Sequence, residues 1–203
     1  MRHRLTRGHR LPNQSHNQTS DPASFPITLQ QVKEWTRVDA NTSDAELSGF
    51  IQAATDAAET IMNRPIIQRE FTLTLDNWLP DEIKLPEVKA QSVTSVQYVD
   101  EEGVTQTLAT TEFQVDLGGK YKQGRIVEAF EKTFPQVRDE LQAVTIVYQA
   151  GFGPDWNSVP QDIQQGIAYL TGHYYDTRDI VGENEMIPET SMDIFMRYRI
   201  NAQ

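Results

Sequence analysis

Cysteine is absent from the 203-residue chain, which excludes disulfide staples, thiolate nucleophiles and every Cys-ligated zinc site. Histidine is scarce. Three of the four, His3, His9 and His16, fall in the first 20 residues and leave His173 as the lone imidazole of the remainder. No run of about 18 apolar residues occurs, so no membrane-spanning helix is expected, and the N-terminus shows no apolar signal core. Apolar residues amount to 38%, low for a chain packed throughout, so part of it is expected to lie outside a core. Cations are also few, 18 Lys and Arg against 29 Asp and Glu, for a net charge of −11. Four of those cations, Arg2, Arg4, Arg7 and Arg10, sit in the first 20 residues with no acid among them. The rest then holds 14 bases against 29 acids, a net of −15. Such a body lacks the Lys and Arg that a general nucleic-acid surface needs.

The familiar catalytic and nucleotide motifs are missing as well. There is no Gly-Lys-Ser/Thr, no G-x-S-x-G and no H-E-x-x-H. The stretch YQAGFGPDWNSVP, residues 148–160, comes closest, because it places Gly151 and Gly153 between an apolar strand pattern and a helix pattern. A dinucleotide loop requires a third glycine, which this stretch lacks. Pro154 removes a donor and Asp155 would repel phosphate. The glycines therefore read as a sharp corner, pinned by Phe152 and Trp156. Asp100-Glu101-Glu102 reads as a solvated turn, not a carboxylate pair. Asp176, Asp179 and Glu183 lack calcium-loop spacing, and His173 reads as a structural histidine. No catalytic, metal or cofactor residues are expected, and no cofactor.

What is present is a sequence of periodicities. Residues 1–26 are polar and aperiodic and read as a flexible basic arm; 27–203 read as one domain. Thr28 with Gln31 forms a capping box for a helix over 28–38, and Ser43 with Glu46 another for a helix over 44–63. Leu47, Phe50, Ile51, Ala54, Ala58 and Ile61 give the latter a buried stripe, and Pro65 ends it. The period then changes to two: Phe71, Leu73 and Leu75 alternate with polar residues. Further strands are expected at 83–85, 113–115, 125–129 and 143–148, with a hairpin over 92–108 turning at Asp100–Gly103. Helices return at 160–178 and about 190–199. Helices, then strands, then helices argue for α+β with an antiparallel sheet. The β-rich insertion, 69–148, lies between the second and third helices.

An ordered series of segments resembles the tailed-phage head–tail connector (adaptor) proteins, including prophage-encoded members. It runs through Ile27–Lys33, Arg37–Asp39, Asp44–Leu47, Ile51–Thr55, Asn63–Ile67, Leu75–Pro80, Ile83–Pro86 and Ser92–Val96. It continues through Tyr98–Gly103, Val147–Gly153, Val159-Pro160, His173–Arg178, Ile187-Pro188 and Tyr198-Arg199, covering about 27–200. The resemblance implies a helical-bundle connector core and a non-enzymatic virion protein at the head–tail junction, present in the host cytoplasm during assembly. It implies a homo-oligomeric ring, typically of twelve, under the portal protein. Such a ring extends the DNA channel without sequence-specific binding and presents a surface to a downstream connector or tail protein; no membrane is involved. Carried over to this chain, the portal-facing residues would be Ile194, Phe195, Arg197, Tyr198 and Arg199, an aromatic–basic cluster on an acidic chain. Their alternative role is an ordinary capping helix on the core. Another neck or tail-completion protein is the alternative function, and a small hydrolase built on His173 a third.

Overall fold

A computed structural model describes residues 14–36, 44–177 and 187–200. Its first element was not expected. Residues 14–18 belong to the segment read as a flexible arm, yet Gln14–Gln18 forms strand β1, antiparallel to β2, Arg69–Leu75. The segment QSHNQ has no apolar residue, and the alternation that marks a half-buried strand is missing. Pairing here rests on backbone hydrogen bonds, Thr19 N–H to Glu70 O at 2.9 Å extending the ladder, and on the ring of His16.

The expected helices form. Helix α1, Leu29–Thr36, opens with the Thr28 box: Thr28 N–H donates to Gln31 Oε1 at 2.9 Å and Gln31 N–H to Thr28 Oγ1 at 3.2 Å. Helix α2, Asp44–Met62, buries Leu47, Ile51, Ala54, Thr55, Ala58 and Met62, with Phe50 and Ile61 on the flanks of that stripe. Its Ser43 cap lies outside the described residues. Asn63 takes φ 51°, the left-handed step that commonly closes a helix, and Pro65 follows. Helix α3, Gln161–Thr177, and helix α4, Glu189–Met196, complete the bundle. Gly166 on α3 sets their approach, since a Cβ there would lie 2.8 Å from Cε1 of Phe195. Ser191 Oγ donates to Gly166 O across the same contact, at 3.0 Å.

The remaining strands are β3 (Ile83–Val88), β4 (Ala90–Val99), β5 (Thr105–Thr107), β6 (Phe113–Asp116), β7 (Gln123–Glu128) and β8 (Val144–Ala150). They build two antiparallel sheets, ordered β1-β2-β8-β4-β5 and β3-β7-β6. The β4–β5 hairpin turns where expected. Gly103 has φ 85°, and the Asp100 carboxylate accepts from Val104 N–H and Gln106 Nε2, both at 2.8 Å. Between β7 and β8 a long loop crosses the sheets; Trp78 anchors it by stacking on Phe134 at 4.4 Å and donating to Pro135 O at 2.8 Å.

Burial divides between two clusters. One gathers the helices with Ile66, Ile67 and Phe152. The other gathers the inner faces of the two sheets around Leu73, Ile126, Ile146 and Tyr148.

Candidate functional site at the corner beneath the last helix

The two clusters meet at the 148–160 corner. Gly151 has φ 137°, and a Cβ there would lie 2.6 Å from the backbone N of Gln68, so only glycine lets β8 leave the sheet at this point. The corner's polar groups are committed to other parts of the fold. Phe152 N–H donates to Ile66 O at 2.8 Å, and Gln68 N–H to Gly153 O at 2.8 Å. Gly151 O accepts from Gln91 Nε2 at 2.8 Å. The Asp155 carboxylate occupies the Asn157 N–H at 3.0 Å, where an anion would otherwise sit. The loop's own N–H groups at Phe152 and Asn157 are thus taken, and Asp155 would repel a phosphate at the helix entrance. Phe152 pins the corner, as its position suggested; Trp156 is only half-buried, in a short 3₁₀ turn.

Arg64 is the residue the sequence reading passed over. It stands in Asn63-Arg64-Pro65, just past α2, and is 3% exposed. Its guanidinium lies 4.4 Å from the Phe152 ring centroid, and Nη1 donates to Lys120 O at 2.7 Å. Burial lowers its pKa to about 10, so it stays charged at neutral pH. Among the described residues Nε and Nη2 have no acceptor. Lys120 extends the cluster, with its ammonium 4.2 Å from the Tyr198 ring. Nothing in the local sequence marks Arg64 as buried, because its partners come from β8 and the β6–β7 turn.

The residues expected to face a portal divide in the structure. Ile194, Phe195 and Tyr198 are buried in the helical cluster. Tyr198 OH donates to both Asp162 oxygens, at 2.7 and 2.9 Å, and packs edge-on to Phe152. Burial beside that carboxylate pushes the Tyr198 pKa up to about 12. Arg197 and Arg199 are exposed, together with Met196. The last helix thus caps the core with one side and shows two guanidinium groups on the other. His173 is half-buried, and its ring neighbour is Tyr174, 6.2 Å away.

Beside the corner lies an open groove of about 630 Å³ between the chain end and strands β3 and β7. Lys84, Lys122, Arg125 and Arg199 line it against Glu82 and Glu87, so cations outnumber acids two to one on an acidic protein. Arg125 is fixed by Glu82 at 2.9 Å and Asp116 at 3.2 Å, and these carboxylates hold it firmly protonated. Glu87 also belongs to a trio with half-buried His16 and fully buried Tyr148. Tyr148 OH bonds His16 Nε2 at 2.9 Å and accepts from Glu87 N–H at 3.2 Å; His16 Nδ1 is 3.9 Å from the Glu87 carboxylate. Burial lowers the His16 pKa and raises those of Glu87 and Tyr148.

No curated protein matches the chain in sequence. Among solved structures, similar chains occur in the virion of a native gene transfer agent particle (26% identity, TM-score 0.75), covering 93% of this chain and 96% of the other. They occur also in the neck of an empty gene transfer agent particle computed with C6 symmetry (25%, 0.73) and of a native one computed with C12 symmetry (26%, 0.69). Each of these covers 93% of this chain and 97% of its own. The model of the head completion protein family matches residues 26–200, nearly the whole described fold. The chain therefore belongs to the head completion protein family and is a structural head–tail connector.

Proposed function

We propose that this connector works as one subunit of a ring at the head–tail junction, seated beneath the portal, where it extends the DNA channel and carries no chemistry of its own. The full-length likeness to chains of a symmetric neck carries this reading. Twelve copies is the number proposed for the ring. The acidic body suits a conduit, because a negative wall repels DNA phosphates and lets the duplex slide. The portal-facing surface is the exposed side of the last helix, Arg197 and Arg199 with Met196. Ile194, Phe195 and Tyr198 support that surface from within.

The test is co-sedimentation of the purified chain with its portal protein. The variant Arg197→Glu should lose portal binding at unchanged melting temperature, since its side chain is exposed. Undiminished binding by that variant would remove the last helix from the portal interface. A chain that ignores the portal altogether would make it a neck protein placed further down the stack.

A further inference from the structure

A closed ring of identical chains is a head-to-tail arrangement, so each chain must carry two different patches that fit one another. Building on the ring reading above, we infer that the β4–β5 hairpin tip of one copy seats in the basic groove of the next.

The tip supplies one half of the fit. Glu101 and Glu102 stand exposed at the turn, and among the described residues neither enters an ion pair. Val104, 53% exposed, and Leu141, 76% exposed, add apolar surface at the same end of the sheet, where Val99 N–H bonds Ala143 O at 2.8 Å. Arg138 lies over Gly103 at this end and pairs with Glu140 at 3.5 Å, so Glu101 and Glu102 leave the tip an acidic knob with an apolar flank facing solvent. The groove supplies the other half: Lys84 and Lys122, exposed on its rim though paired with Glu82 at 3.7 Å and Asp116 at 3.5 Å, and Tyr121, 57% exposed, beside apolar Pro86 and Ile200. Charge and apolar surface are thus matched patch for patch.

The two patches cannot meet within one chain. β4 begins at Ala90, whose Cβ borders Gly124 of the groove, and ends at Val99, just before the tip. Ten strand residues separate the sites by roughly 30 Å. Contact between the two patches therefore joins separate copies, and repeated in one sense from copy to copy it propagates around a ring. The tip's rigidity favours this use. Its turn is fixed by two hydrogen bonds to the Asp100 carboxylate and by Gly103 N–H to Asp100 O at 2.9 Å, so little ordering remains to be done on docking.

Because the chain has no cysteine, cross-linking reports this contact without background. Full-length Glu102→Cys and Lys122→Cys chains are oxidised separately and mixed, and a chain carrying both substitutions is oxidised alone. The expected result is a cross-linked dimer in the mixture only, and a ladder of oligomers from the doubly substituted chain. Absence of the mixed dimer, or equal dimer in either single preparation, overturns the inference. In parallel, light scattering of the chain alone and on its portal follows charge reversal. Glu101→Lys/Glu102→Lys and Lys84→Glu/Lys122→Glu should each abolish the ring, and their combination should restore it. Rings that persist in both reversed variants refute the tip-in-groove contact while leaving the ring intact. A wild-type chain that binds its portal without associating with itself removes the ring reading, and this contact with it.

Discussion

At the scale of single residues, the strongest constraint sits at Gly151. Its φ of 137° and the 2.6 Å approach to Gln68 leave no room for a methyl group. Gly151→Ala should cost at least about 2–3 kcal/mol, read as a lowered urea midpoint. Gly49 makes the control. It lies exposed within α2 with nothing within 4 Å of a Cβ, so Gly49→Ala should stabilise the chain by about 0.5–1 kcal/mol. Tyr198→Phe removes a hydroxyl held by both oxygens of Asp162 and should cost about 1–3 kcal/mol in the same measurement. His16 carries a pH dependence. Burial sets its folded pKa below the unfolded value of 6.5, so the unfolded chain takes up the proton first as pH falls. The His16 contribution is thus whole above about pH 6.5 and is lost as pH falls through the depressed folded pKa. Glu87 acts in the opposite sense, since its raised pKa lets the folded state accept a proton first. His16→Gln should therefore flatten the fall in melting temperature between pH 7 and 5, leaving the Glu87 trend exposed.

At the scale of elements, most of the fold is legible in the sequence because its elements are amphipathic. The two-residue period of Phe71-Thr72-Leu73-Thr74-Leu75 marks β2, and the three- and four-residue steps from Leu47 to Ala58 mark α2; both stand in the structure. The Thr28 capping box and the Asp100–Gly103 turn were also visible, because each is satisfied by residues only a few positions apart. Strand β1 was hidden for the complementary reason: its pairing uses backbone groups, and its one anchoring side chain, His16, meets Phe71, Glu87 and Tyr148 from distant parts of the chain. The groove escaped notice likewise, since Lys84, Lys122 and Arg199 are far apart in sequence. For the residues that the resemblance offers as portal-facing, the sequence shows an aromatic–basic cluster but not which of its side chains the core claims: Ile194, Phe195 and Tyr198 are buried and Arg197 and Arg199 exposed. Strand β1 gives a prediction of its own. It covers the open edge of β2, so a chain lacking residues 1–18 should show faster hydrogen exchange at β2 amides and a lower melting temperature. Unchanged protection there would mean that the strand adds nothing to the sheet.

At the scale of the whole molecule, the two hydrophobic clusters have no residue in common. Phe195 is fully buried in the helical one, and Phe195→Ala should cost about 3–5 kcal/mol. If each cluster behaves as its own cooperative unit, the loss will appear first as exchange of α3 and α4 amides, while β2, β4 and β8 keep their protection. Uniform loss across helices and sheets would show instead that the halves unfold together. What joins them is different in kind from what fills them: Arg69 on β2 bonded to both oxygens of Glu59 on α2, at 2.7 and 3.1 Å, Arg64 Nη1 donating to Lys120 O at 2.7 Å, the Lys120 ammonium against Tyr198, and the Gln68 N–H bond to Gly153 O. A seam of charge-assisted hydrogen bonds differs from an interlocked core in what it demands: a bidentate Arg–carboxylate pair holds only in one relative geometry, whereas aliphatic packing is non-directional. The two halves are therefore set in register by charge and filled by apolar packing.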